Sequence, residues 1–289
     1  MHKFLFALAT LVALAVSAGA MDITTCGQSV PAGEIGVLQA DLDCSSFAAN
    51  SVTLGVKSTL DMNGHSIASS SVGGAILCFF GGLICQPKGG TTVCHGHKGS
   101  CTVTSSVGRG RVVAPPGGGP GIGSERDIVL QNLDVVGTSI GGNKLTATDV
   151  SVTNLPGARV GIFVERKATL TRVESSGGYL GIYGLTLDVK GTDVVVQNNR
   201  GGGISAARVR ITRLTAVGNG TEPSAAFGAG VAAGKVFLFD STVTGNSYQG
   251  RPVDILAAHR PRIFNTTCDH SEVLDFSQTP STWGVCASD

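Results

Sequence analysis

Five basic side chains recur at one offset in this chain. Arg126, Arg166, Arg208, Lys235 and His259 each stand five residues after a short phrase that opens at Gly121, Gly161, Gly203, Gly230 or Asp254. If equivalent positions stack, the five form a partly basic stripe along one long axis, interrupted at Thr186 and near residue 141. Neighbouring cations repel, so they either splay into water or are bridged by something anionic. An acidic polysaccharide has charges spaced along an extended chain and suits such a stripe, which makes these five the candidate substrate-binding residues. The competing reading is a solvated turn position that tolerates any long polar side chain.

Catalytic candidates are less defined. Asp61, Glu125, Asp127, Glu165, Asp188, Asp240 and Asp254 could supply an acid/base pair on one face, since glycosidase-type carboxylates need no linear motif. The sequence selects no pair among them, so the catalytic residues stay unassigned. There is no His-Glu-x-x-His motif. His65, His95 and His97 invite a metal reading, with Cys94-His95-Gly96-His97 offering soft ligands. Cys94 is expected to be oxidised and His65 to cap a turn, so neither a metal site nor a cofactor is expected. Calcium enters only if the chain is a lyase.

The elements that must position these groups are short and periodic. Gly121-Ile122, Gly161-Ile162, Gly181-Ile182, Gly203-Ile204, Gly230-Val231 and Asp254-Ile255 open successive copies, the first gap spanning two copies. Gly137, Asn154, Gly177, Asn198, Gly218 and Gly245 close them. Two independent markers that keep one period of roughly 20 to 27 residues indicate a coiled solenoid. The closing phrases, such as Leu130 to Gly137 and Ile211 to Gly218, alternate and are rich in β-branched residues, which argues for strands. The terminal Gly or Asn supplies the left-handed backbone of a sharp corner. Asn154, Asn198, Asn219 and Asn246 at these corners are expected to form an internal ladder of amide hydrogen bonds. Without helices or hairpin dipeptides, each coil must stack in parallel on the last, about 4.8 Å away.

At this point the chain resembles secreted bacterial proteins with right-handed parallel β-helix repeats, of the pectate-lyase-like superfold. Residues 60–67 (LDMNGHSI) resemble the phrase that opens many such helices, and residues 238–246 (LFDSTVTGN) resemble the family's coil consensus. The tail Trp283-Gly284-Val285-Cys286 resembles endings of uncharacterised members. The resemblance implies an all-β, single-stranded, right-handed parallel β-helix of about ten coils. It does not imply one function, because this scaffold hosts lyases, hydrolases, epimerases and adhesins. The polygalacturonase motif set is missing, Arg260-Pro261-Arg262 has the wrong spacing for the pectate-lyase arginines, and the Asp-Pro-His-Asp of mannuronan epimerases is absent.

Residues 1–20 read as a secretory signal: Lys3, an apolar run from Phe4 to Val16, and a small-residue cleavage site ending at Ala20. A secreted or periplasmic product follows, with no transmembrane segment after signal removal. The rest, 21–289, reads as one β-helix domain: irregular Cys-rich coils over 22–122, regular coils over 123–267 and a cap over 268–289. The apolar stretch 73–85 is too short to span a membrane and reads as buried strands split by Gly81-Gly82. Without the signal the chain is about neutral, which removes the electrostatic footprint of a nucleic-acid binder. Cys26, Cys44, Cys78, Cys85, Cys94, Cys101, Cys268 and Cys286 form an even set suited to disulfides in an oxidising compartment. Local pairing (26–44, 78–85, 94–101, 268–286) is the economical expectation, with cross-linking between the two middle pairs as the alternative. The functional expectation is a scaffold that binds a polysaccharide, cell-surface glycan or other envelope material along a partly basic face. A polysaccharide lyase or hydrolase acting on an acidic polysaccharide is the alternative.

Overall fold

The computed structural model describes residues 19–289 apart from 71–73, 79–83, 89–90, 96–98, 116–120, 156, 158–159, 226–227 and 275–280, and describes 84–88, 91–95 and 185 as backbone only. The expected signal sequence therefore lies almost wholly outside the described residues. Every regular element among the described residues is a strand, and the strands wind into a parallel β-solenoid of about nine turns. A regular coil has three faces. Residues 167–171, 173–176 and 180–183 lie on faces A, B and C, and pair in parallel with 188–192, 194–197 and 202–205 of the next coil.

The turn count falls short of the expected ten because chain is spent outside the stack. Between Cys78 and Ser100, Ile84–Lys88 pairs antiparallel with Thr91–His95 rather than joining the parallel stack. Of the 73–85 stretch, Ile76–Cys78 is a rung and Ile84–Lys88 belongs to this hairpin, while Gly81 and Gly82 lie outside the described residues. Stacking resumes with Ser100–Thr104 and Gly110–Val113, inside the stretch expected to be irregular.

The core is built from columns of like residues. Val52, Ile76, Ile122, Ile140, Ile162, Ile182, Ile204, Val231 and Ile255 stack in register on face C, all buried. Ile140 fills the double-length gap in the opening phrase. Each such side chain contributes roughly 1.5–3 kcal/mol on burial, and the β-branched side chain suits the pleated inner surface.

The corner between faces B and C holds a polar column inside this apolar core. Asn199 Nδ2 donates to Asn219 Oδ1, Asn219 Nδ2 to Asn246 Oδ1, and Asn246 Nδ2 to Asp254 Oδ1, each at 2.9 Å. The second amide proton of each Asn goes to a carbonyl, of Ser175, Val196 and Ala216 respectively. A donor-to-acceptor chain needs a terminus that only accepts. Asp254 provides it, its other oxygen receiving the N–H groups of Asp269 (2.7 Å) and His270 (3.3 Å). The expected ladder thus exists with two corrections. Asn199 takes part in place of Asn198, which has a left-handed backbone (φ 54°) and is exposed. Asn154 is buried, but its amide atoms have no hydrogen-bond partner among the described residues. The opening glycines make room for the ladder: a Cβ on Gly181 would lie 2.7 Å from the Gly203 carbonyl oxygen and 2.8 Å from Asn199 Nδ2.

Disulfides join Cys26–Cys44, Cys78–Cys101 and Cys268–Cys286. The local expectation of Cys78 with Cys85 and Cys94 with Cys101 is therefore corrected. Cys78 ends a face C strand and Cys101 lies in the next face A strand, so their bond closes the base of the excursion. The backbone register sets Cys94 opposite Cys85.

Replacing Asn219, which is fully buried, by Ala takes the acceptor from the Asn199 N–H and from one Asn199 Nδ2 proton, and leaves Asn246 Oδ1 only the Asn219 backbone N–H. The expected loss is about 3 kcal/mol, read from urea denaturation. Asp254→Asn aims a second donor at backbone N–H groups, and its unfolding midpoint is expected to fall as well.

Candidate functional site

The stacked register decides which basic residues meet. At the start of face A one column runs Asp127, Lys144, Lys167, Asp188, Arg208, Lys235. Arg208 and Lys235 therefore stack as expected. Arg126 and Arg166 do not join them, because each precedes the column by one residue. The reason is local: the register shifts between Gly142 and Lys144, Phe163 and Lys167, and Gly184 and Asp188, so a fixed offset from the opening phrase is not kept. His259 donates its backbone N–H to the Gly234 carbonyl and lines an open groove with Thr186, Asp188, Arg208 and Lys235. That groove has a volume of about 310 Å³.

A second column, two residues along face A, runs Lys190, Arg210, Phe237, Arg262. The guanidinium carbons of Arg210 and Arg262 lie 5.5 and 5.7 Å from the centroid of the Phe237 ring, one from each neighbouring rung. Cation–π contact at this range holds both forks in place over the strand. Lys235, Phe237, His259, Arg260 and Arg262 line a groove next to the first. Scanning by offset missed Lys190, Arg210, Phe237, Arg260 and Arg262. The signal was strand alternation: Asp188-Val-Lys190, Arg208-Val-Arg210 and Lys235-Val-Phe237 put two outward side chains on each rung.

A third column, at the corner between faces A and B, behaves differently. Asn132, Asp149, Arg172, Asp193, Arg213, Asp240 and Asn265 all have left-handed backbones, with φ between 47° and 57°. Asn and Asp tolerate this conformation and arginine does so rarely, yet the charges alternate along the stack. Arg172 grips Asp149 through two bonds of 2.5 and 2.7 Å, and Arg213 grips Asp193 at 2.5 and 2.8 Å. Asn265 donates to Asp240 at 2.7 Å. Hydrogen bonds from these guanidiniums hold the Asp149 and Asp193 carboxyls below the usual range. The groove over this corner is lined by Arg109, Asp134, Asp149, Arg172, Glu174 and Asp193. Its three aspartates are already matched, Asp134 by Arg109, so it offers a ligand little uncompensated charge.

Most candidate acid/base carboxylates have structural work. Asp61 accepts the N–H groups of Asn63 and Ser106, Asp127 pairs with Lys144, Asp240 takes Asn265, and Asp254 ends the amide ladder. Asp188 is the exception on face A. It lies 4.0 Å from Arg208, and its Oδ1 is buried with no hydrogen-bond partner among the described residues. Glu125 and Glu165 line a separate groove. Among the described residues no group of three or more His, Cys, Asp or Glu could hold a metal. His65 sits in a turn, its N–H on the Met62 carbonyl and its ring 3.4 Å from Asp41; the side chain of His95 and all of His97 lie outside the described residues. No described helix is long and apolar enough to cross a membrane.

Compared with family models, curated proteins and solved structures, the chain matches none of them.

The lowered Asp149 and Asp193 carboxyls have a pH consequence. Their contribution to stability is present above the unfolded carboxylate value of about 3.9 and is lost as pH falls through the lower folded values. The double variant R172Q/R213Q is expected to be less stable than the parent at pH 6. That difference should shrink as pH falls below the unfolded carboxylate value and vanish once both carboxyls are protonated in the folded protein, as measured by denaturant unfolding across a pH series.

Proposed function

We propose that this protein is a secreted β-solenoid scaffold that binds acidic polysaccharide along face A, on exposed cell-envelope or matrix material. The observation that carries this reading is a failure of charge alternation. At the A–B corner every cation is stacked against an anion, whereas on face A Lys190 stacks on Arg210, and Arg208 on Lys235, like on like. Two unit charges one rung apart repel by about 1 kcal/mol even at the dielectric of water. Asp188 relieves one end of this patch, and the remaining excess of Lys190, Arg208, Arg210, Lys235, Arg260 and Arg262 is what an extended polyanion neutralises. Arginine forks pair with carboxylate or sulfate in bidentate fashion, and Phe237 gives a sugar ring an apolar surface between them. Disulfides at both ends and the signal-like start agree with an oxidising destination outside the cytoplasm.

A second reading, a polysaccharide lyase or hydrolase, is favoured by one feature. Asp188 Oδ1, without a hydrogen-bond partner among the described residues, shares its groove with Arg208, Lys235 and His259. In its lyase form a cation neutralises a uronate carboxylate, Asp188 or His259 takes the C5 proton, the electron pair left forms the C4–C5 double bond, and the C4–O glycosidic bond breaks with its oxygen protonated from water.

The R208E/K235E variant, folded by circular dichroism, is expected to bind an acidic oligosaccharide at least about tenfold more weakly at low salt. The parent's affinity should fall steeply with ionic strength. Unchanged affinity in the variant would sink the face A reading. Ultraviolet absorbance of an unsaturated uronate, or new reducing ends, on incubation with the polymer would select the enzyme reading instead.

A further inference from the structure

We infer that face C carries a second binding site, specific for a neutral hexopyranose unit of a glycan. The outward column of this face runs Leu77, Gly123, Gly141, Phe163, Tyr183, Ser205, Ala232, Leu256. Its C-terminal half is covered: Ala232 and Leu256 are buried against Ala229 and Val253, with Tyr248 and Leu274 packed on them. Its N-terminal half has a gap. Two successive rungs present glycine, Gly123 and Gly141, the first buried and the second partly exposed, so the open part of the groove, a slot, lies over Gly141 beside Phe163. Phe163 is 39% exposed and forms the end wall, its ring backed by Tyr183 at 5.9 Å between centroids.

The rim of this slot has one chemical character. Glu125, Glu165 and Asn143 line the groove of about 320 Å³ together with the glycines and Phe163. Asn143 Oδ1 is buried without a hydrogen-bond partner among the described residues. Two carboxylates and an amide oxygen are acceptors, so a fitting ligand donates. An acidic sugar is repelled by the two glutamates. A neutral hexopyranose offers hydroxyl donors around its edge and a face of C–H groups that packs on an aromatic ring, and the glycine floor lets the ring lie against the sheet. An exposed aromatic wall beside convergent polar groups is the usual composition of such a site. This inference does not rest on the charge of face A.

The test uses the mature protein and neutral tetrasaccharides of gluco, galacto and manno configuration, with a glucosamine tetrasaccharide as control, by calorimetry and NMR shift mapping. At least one neutral member is expected to bind, with shifts centred on Gly123, Gly141 and Phe163. Phe163→Ala and Glu165→Gln should each weaken that binding about tenfold or more, whereas R208E/K235E should leave it unchanged. The proposal is overturned if no neutral tetrasaccharide binds at millimolar concentration, if both slot variants bind like the parent, or if the glucosamine oligomer binds more tightly. Because the face A variant is read on an acidic ligand, failure of either site is visible separately.

Discussion

In-register parallel stacking is the constraint on which the rest of this structure depends. It sets each side chain about 4.8 Å from its equivalents above and below. Every outward or inward position thus becomes a column, and a column is stable only if its members tolerate themselves as neighbours. Aliphatic residues do so without condition, which is why the face C column is Ile or Val from Val52 to Ile255. Amides do so with a direction, since each must donate one way and accept the other. That direction forces an end, and Asp254 is the end. Gly161, Gly181, Gly203 and Gly230 are the cost of placing amides at the corner, because a Cβ on each would crowd Asn154, Asn199, Asn219 or Asn246.

Charge is where the constraint separates structure from function. A column of charges holds together if its signs alternate, and the A–B corner does this through Asp149, Arg172, Asp193, Arg213 and Asp240. Backbone strain at a left-handed arginine is offset there by two bonds from each guanidinium to the aspartate of the preceding coil. Face A breaks the rule within the same coils. Stacking Lys190 on Arg210 and Arg208 on Lys235 is repulsive, and the Phe237 ring and Asp188 offset it only in part, which is what the proposal of an external polyanion rests on. The contrast is internal to one molecule, with the same rung spacing and the same solvent, which makes it stronger than a count of surface arginines.

Much of the architecture was legible because the opening and closing phrases report the columns directly. Gly-Ile steps mark face C, and Gly137, Gly177, Asn198, Gly218 and Gly245 all adopt the left-handed backbone expected of them. Asn154 does not, since it turns its amide inward. The site was less legible, for a physical reason. Offsets along the sequence equal positions in space only while each corner has the same length, and the C-to-A corner changes length at Gly142, Phe163 and Gly184. Arg126 and Arg166 were lost from the stripe by that one-residue drift, while Arg208 and Lys235 were kept. The alternate-residue pattern within a strand is immune to corner length, and it is the pattern that marks Lys190, Arg210 and Arg262. The Cys78–Cys101 bond was open among alternatives for a similar reason: nothing in spacing shows that the intervening chain leaves the stack.

The two proposed sites also constrain one another. Glu165 of the face C slot and Thr186 of the cationic groove are neighbours on successive coils, with Thr186 donating its hydroxyl to the Glu165 carbonyl. Along this edge a ligand therefore meets hydrogen-bond acceptors first and cations next. A homopolymer of uronic acid would satisfy the second part and be repelled by the first. A glycan with neutral units interspersed among acidic ones satisfies both, and the order of its units would fix its direction along the solenoid axis. On a scaffold built from near-identical rungs, a bound polymer can slide by one rung unless something breaks the repeat. If both proposed sites hold one polymer, the change from glutamate to arginine and lysine across adjoining coils would be that break and would set a single register.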